Sequence, residues 1–293
     1  MASDQPPFAM PAGACDCHIH INDPRFPYLP DAELKPPPAT VEDYRRIQAR
    51  LGLERVVVVQ PSSYGVDNRC TLDAVRRFGP ARARAVVVVP PDASPALLRE
   101  LHDQGARGVR FNLARGAALG SASIEALAPR LADVGWHVQL HAQADTIAAL
   151  APMLRRLPVP VVLDHLARLP HAGGVDSAAH AALAAVRGLL DQGNTWIKLS
   201  GAYLDSRSGP PAYEDRAPVA RALLAAAPER LVWGTDWPHP AASAGERPMP
   251  DAGRLLGLLA DWTSDAALRR RLLVDNPQSL YGFDPVPSRA SSA

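Results

Sequence analysis

Apolar and polar positions along this chain fall into a repeating rhythm. Short runs rich in Val, Ile and Leu recur, and each is followed by an Ala/Leu/Arg-rich stretch of helical period. The runs cover residues 14–21, 55–60, 84–89, 108–113, 136–142, 159–165, 196–201 and 231–237. Strands alternating with helices predict an α/β fold, and eight such units are the number that closes a parallel (β/α)8 TIM barrel. A doubly wound open sheet shares the alternation and is the structural alternative. No linker divides the chain, so one barrel domain is expected over residues 14–283. Residues 1–13 read as an N-terminal extension and residues 284–293 as a disordered tail. The Pro-rich stretch 24–38 reads as a long loop over one end of the fold.

Within the strands, side chains two apart share a face, and the outer face of a barrel must meet helices. Val109, Phe111 and Leu113 oppose Gly108, Arg110 and Asn112, while Trp136, Val138 and Leu140 oppose His137, Gln139 and His141. Ile197 and Leu199 likewise oppose Lys198 and Ser200. Strict alternation in the first strand sends Cys15, Cys17, Ile19 and Ile21 outward and Asp16, His18 and His20 inward. The two cysteines are therefore expected to be outer packing residues. Several polar inner faces in one barrel need water, a ligand or a metal to satisfy them.

Composition narrows the partners. The 293 residues are 47% hydrophobic, enough for one large core, and 31 basic residues nearly cancel 30 acidic ones. With no long run of one sign, neither nucleic acid nor an anionic membrane is an expected partner. No signal-like N-terminus and no membrane-length apolar run is present, so a cytoplasmic location is expected. Three cysteines fit a reducing compartment better than a disulfide framework. The 30 prolines and 20 glycines sit between the apolar runs as punctuation.

Barrel enzymes keep their chemistry at the C-terminal strand ends. There lie His18, His20, Arg110, His141, His165 and Asp236. Each alone is weak, since a strand-end Asp often only caps a helix. Four histidines and an aspartate all ending inward-facing strands are not required by packing, and together they form a candidate site. His102, His171 and His180 fall in helices or loops, and His137 lies deeper, as a hydrogen-bonded core residue.

These positions carry a resemblance. DCHIH (16–20), VVVQ and VDNR (57–60 and 66–69), GVRFN (108–112), GWHV (135–138), DH (164–165), GVDS (174–177), WGTDWPHP (233–240) and LLVDNP (272–277) resemble the amidohydrolase superfamily (amidohydrolase-related family 2), in its 2-pyrone-4,6-dicarboxylate lactonase-like branch. The resemblance implies an amidohydrolase-type barrel that opens a carboxylate-bearing lactone. It implies that Asp236 activates water, that His18, His20 and His165 surround the carbonyl, and that Arg110 holds a substrate carboxylate. Ester hydrolysis needs such a base, oxyanion donors and a proton for the leaving alkoxide. Arg115 is a second candidate for the carboxylate, and Tyr64, Ser62, Asn68 and Tyr203 are candidates to line the pocket.

Two departures bear on the substrate. The loop after the first strand reads AELKPPP where the family's dicarboxylate enzyme carries a substrate-binding tyrosine, and SGAYLDS after the seventh lacks an arginine used there. Sugar lactones, muconolactone-type compounds and a pyrone carboxylate all stay open, as does a homo-oligomer. The resemblance implies a dicarboxylate lactonase that works without metal and has no histidine ending its fifth strand, and metal-independent catalysis is favoured here. His141 nevertheless completes a set with His18, His20 and Asp236 that could hold one divalent, Zn-like ion. No Lys or Glu ends the fourth strand, so a two-metal centre with a bridging lysine is not expected. Rival readings are a metal-dependent decarboxylase, a sugar-lactone isomerase and, more distantly, a non-enzymatic carboxylate binder.

Overall fold

A computed structural model describes residues 6–114, 119–171 and 177–286. Eight parallel strands follow one another around a single sheet: β1 (Cys15–Ile19), β2 (Arg55–Val59), β3 (Ala83–Val87), β4 (Ala106–Asn112), β5 (His137–His141), β6 (Val161–Leu163), β7 (Thr195–Leu199) and β8 (Leu231–Trp233). The cylinder is drawn together at the C-terminal end of its seam by a parallel bridge between Ile19 and Trp237. There His20 N donates to Trp237 O at 2.7 Å and Asp236 N to His18 O at 2.9 Å. This is the expected barrel, and the open-sheet alternative is set aside.

Helices α1 (Val41–Leu51), α2 (Arg69–Phe78), α3 (Pro95–Asp103), α4 (Ala122–Asp133), α5 (Ala144–Leu154) and α6 (Ser177–Asp191) follow the first six strands. A short helix α7 (Ala202–Asp205) and then α8 (Ala217–Ala226) follow β7, and α9 (Pro240–Ser243) and α10 (Ala252–Trp262) follow β8. Their starts carry the expected chemistry: Thr40 and Asp43 form a reciprocal capping box on α1, and Ser94 caps α3 ahead of Pro95. The outward residues of the strands, among them Val109, Phe111, Val138, Leu140, Ile197 and Leu199, pack with these helices in one large core. No helix among the described residues is long and apolar enough to cross a membrane.

The first strand corrects the sequence reading. Asp16 pairs with Val56 and Ile19 with Val58, so three steps on β1 oppose two on β2. A β-bulge of this kind inserts a residue and reverses the inward and outward alternation beyond it. Cys15 and Cys17 consequently face the barrel interior, packed with Val57, Val59, Val86 and Val232 above Tyr281 and Phe283. Asp16 points outward to Tyr44 of α1, whose hydroxyl donates at 2.9 Å, and accepts from Thr235 N at 2.9 Å and Thr235 Oγ1 at 2.6 Å. Beyond the bulge His18 and His20 face inward as expected. The bulge thus gives β1 an apolar floor and a polar mouth on the same face.

The N-terminal extension is docked where it is described: Phe8 and Met10 pack on the core, and Arg269 stands 4.9 Å over the Phe8 ring. Residues 287–293 of the expected tail lie outside the described residues.

Candidate active site

The mouth of the barrel holds a cavity of about 600 Å³ whose lining includes His20, Ser62, Arg110, His141, His165, Arg168, Tyr203 and Asp236. Its centre is Asp236. Oδ1 of this residue lies 3.6 Å from His18 Nε2, 3.5 Å from His20 Nε2 and 4.0 Å from His165 Nε2. Oδ2 accepts a hydrogen bond from the Tyr203 hydroxyl at 2.8 Å, which leaves Oδ1 to face the imidazoles. Asp236 has a positive φ of 62°, a conformation costly for a residue with a β-carbon. The hydrogen bond from its own amide to His18 O and that of His239 N to its carbonyl hold it there.

Each imidazole is fixed from behind. His20 Nδ1 is 2.8 Å from Val59 O, and because a carbonyl only accepts, Nδ1 carries the proton and Nε2 presents a lone pair to the cavity. His165 Nδ1 shares a hydrogen bond of 2.9 Å with Ser200 Oγ. His18 Nδ1 lies 3.4 Å from Asp164 Oδ1 and 3.3 Å from Lys198 Nζ. Lys198, fully buried in the barrel axis, donates to Cys17 O at 2.8 Å and Gln139 Oε1 at 2.7 Å, while Gln139 Nε2 donates to Asp164 Oδ2 at 3.1 Å. Lys198 and Asp164, 3.7 Å apart and linked through Gln139, place opposite charges beneath His18, with Asp164 Oδ1 itself left without a hydrogen bond.

Electrostatics set the protonation states. Burial pushes His18 well below the ordinary imidazole range, and the Lys198 charge adds to it. Burial likewise lowers His165. Burial alone would raise the Asp236 carboxyl, but the surrounding imidazoles, His165 foremost, outweigh it and hold the group well below the usual carboxylate range. The centre is therefore an ionised carboxylate beside two imidazoles, His18 and His165, that burial discourages from taking up a charge.

Arg110 reaches the same cavity from β4. Its Nη1 donates to Gln60 O at 2.8 Å, its Nε has no partner, and no carboxylate pairs with it among the described residues. A guanidinium that is 6% exposed and has no carboxylate partner among the described residues is suited to receive an anion.

Other candidates divide. Ser62 lines the cavity and accepts from Asn112 Nδ2 at 2.7 Å. Tyr203 contributes to the cavity wall, and its hydroxyl goes to Asp236. Tyr64 is buried against Tyr28, and Asn68 clamps the backbone of Val88 through donor and acceptor, so both serve the loop after β2 and not the cavity wall. Arg115 lies outside the described residues, as do residues 174–176 of the GVDS match.

Sequence reasoning missed Asp164, Arg168 and the roles of Gln139 and Lys198. The run His165–Arg168 is a turn in which all four residues have positive φ, between 50° and 56°. Left-handed turns cost about 1–2 kcal/mol per L-residue, and nothing in DHLAR announces one. The turn carries the Arg168 guanidinium to the end of β5, where Nη1 donates to His141 Nε2 at 3.0 Å. Asp164, adjacent to His165 in the DH match, was the signal available.

The metal set is corrected accordingly. His18, His20 and Asp236 bring their donor atoms together, but His141 does not belong to that group. The three separations of 3.3, 3.5 and 3.6 Å match the edges, about 3.3–3.4 Å, of a tetrahedron with bonds of about 2.0–2.1 Å. Two imidazole Nε2 atoms facing each other at 3.3 Å also call for a proton or a cation between them. The residues present fit one zinc-like ion on three protein donors.

Eight βα units with imidazoles from β1 and β6 and a carboxylate after β8 converging on one point define a barrel of the amidohydrolase type. A family model described as amidohydrolase matches residues 15–283, and the chain belongs to that family. It is 38% identical over 280 residues to a 4-sulfomuconolactone hydrolase of Hydrogenophaga intermedia, covering 94% of this chain and 90% of that protein. It is 37% identical to a 2-pyrone-4,6-dicarboxylate hydrolase of Comamonas testosteroni (94% and 92% covered) and 35% identical to a D-galactarolactone isomerase of Agrobacterium fabrum (95% and 94% covered). Among solved structures, an apo protein of Agrobacterium tumefaciens matches with a TM-score of 0.86 at 33% identity, covering 96% of this chain and all of that one.

Proposed function

We propose that this protein is a hydrolase that opens a carboxylate-bearing lactone, with Asp236 as the base. The observation that carries this reading is the single carboxylate oxygen faced by three imidazole nitrogens at 3.5–4.0 Å, in a cavity that also presents the unpaired Arg110. The names of the relatives support the lactone as substrate class. Arg110 takes the substrate carboxylate and sets the ring so that its carbonyl carbon lies over Asp236. Asp236 Oδ1 removes a proton from water, the water oxygen bonds to the carbonyl carbon, and charge develops on the carbonyl oxygen. As the tetrahedral intermediate collapses, the bond to the ring oxygen breaks and Asp236 returns the proton to that oxygen, giving an acid and an alcohol or enol.

The histidines divide the remaining work by tautomer. His165 can accept from Ser200 at Nδ1 and donate from Nε2, which suits it to the developing oxyanion. His20 spends its Nδ1 proton on Val59 and offers a lone pair, which orients the attacking water. A zinc-like ion held by His18, His20 and Asp236 would, when bound, supply Lewis-acid polarisation and a more acidic water.

A panel of carboxylated and sugar lactones, followed with a pH indicator, tests the activity. Ring opening releases acid; an isomerase, the reading that the galactarolactone relative favours, releases none, and a decarboxylase releases carbon dioxide. Asp236→Asn should retain binding of a hit and lose turnover by at least about a hundredfold. Normal turnover by that variant would remove the assigned base, and binding without turnover in the parent protein would favour a carboxylate binder.

A further inference from the structure

The lone pair that His141 could offer to a metal is already spent. Arg168 Nη1 donates to His141 Nε2 at 3.0 Å, and a guanidinium has no lone pair of its own, so this cation and a metal ion compete for one nitrogen. Arg168 is held in place twice over. Its Nε and Nη2 donate to the two Asp205 carboxylate oxygens at 2.6 Å each, and its backbone closes the left-handed turn that begins at His165. The other ring nitrogen, His141 Nδ1, is buried with no partner among the described residues, so the Arg168 bond is what fixes the ring. Yet His141 is close to the cluster. Its ring centroid is 4.8 Å from that of His165, whose Nε2 lies 4.0 Å from Asp236 Oδ1.

We propose that Arg168 sets the metal affinity of this centre, holding His141 away from His18, His20 and Asp236 and so limiting the protein to three donors. The guanidinium acts by occupying the fourth donor: its Asp205 partner neutralises its charge, and what it takes from a metal is the His141 lone pair. The proposal concerns metal binding and stands whether or not the protein is a lactonase.

Zinc affinity, measured by competition with a chromophoric chelator, is the direct test, with cobalt(II) absorption reporting the number of donors. Arg168→Gln should bind zinc at least about tenfold more tightly than the parent, the scale on which groups around a metal's ligands change affinity. The paired variant Arg168→Gln/Asp205→Asn leaves no lone carboxylate behind and should do the same, which keeps the test intact if the single variant folds poorly. Adding His141→Ala to either should abolish the gain, and the cobalt spectrum should revert to that of the parent. Unchanged affinity on loss of Arg168, absence of zinc binding in every variant, or a gain that persists without His141 each overturns the proposal.

Discussion

His137 stands one pleat below the cavity-lining face, and it makes folding stability depend on acid in a way that can be measured. Its ring is 2% exposed, wedged against Gly108 and edge-on to Tyr281 with centroids 5.4 Å apart. Neither ring nitrogen has a partner of hydrogen-bonding geometry among the described residues, and the Arg107 backbone gives only a weak pull toward the charged form. Burial, followed by the Lys198 charge, lowers its pKa from 6.5 to about 3. A base depressed in the folded state stays neutral there while the unfolded chain takes up a proton. Stability is therefore full above pH 6.5 and declines as the pH falls from 6.5 toward 3. At 1.36 kcal/mol per pH unit, the loss from this residue alone reaches about 2 kcal/mol by pH 5. Replacing it with leucine, of similar volume, removes that term, and comparing slopes cancels any constant packing difference. Urea unfolding of parent and His137→Leu proteins at pH 7 and pH 5 should show the variant losing about 2 kcal/mol less. Parallel losses in the two proteins would refute the assignment of a buried neutral imidazole.

Three substitutions probe the mouth of the barrel. Gly201 has a φ of 61°, and a β-carbon there would lie 2.7 Å from His165 Nδ1; Gly201→Ala should displace that ring and cut kcat by tenfold or more while the protein remains folded by circular dichroism. Tyr203→Phe deletes the hydrogen bond to Asp236 Oδ2, so the carboxylate can rotate away from the imidazoles, and kcat should fall by about tenfold with KM little changed. Arg110→Lys keeps the charge but loses the planar pair of donors, and steady-state kinetics should show KM rising by about tenfold or more with a smaller change in kcat. An unchanged KM would detach the substrate carboxylate from that residue.

Much of this molecule was legible from alternation alone. All eight strands lie within the runs read from the sequence, save short overhangs at their ends, and the inward assignments of His137, Gln139, His141, Lys198 and Ser200 hold. What escaped are features that local pattern does not encode. The bulge in β1 is set by pairing with β2, some forty residues away in sequence, so Cys15, Cys17 and Asp16 were assigned to the wrong faces. The left-handed turn at 165–168 depends on what surrounds it, so the reach of Arg168 to His141 could not be read from DHLAR. Polar residues in a pocket-facing loop look alike in sequence: Ser62 reaches the cavity, whereas Tyr64 and Asn68 turn into the loop that carries them.

The seam of the cylinder has a consequence for how firmly the mouth of the barrel is held. Asp236 and two of the imidazoles around it come from the last and first strands' ends and are tied by backbone hydrogen bonds between the segments 18–20 and 236–237. Any parting of the first and last staves would draw Asp236 away from His18 and His20, while the other six remain paired. On the proposed chemistry, turnover would depend on that joint between the first strand and the segment after the last.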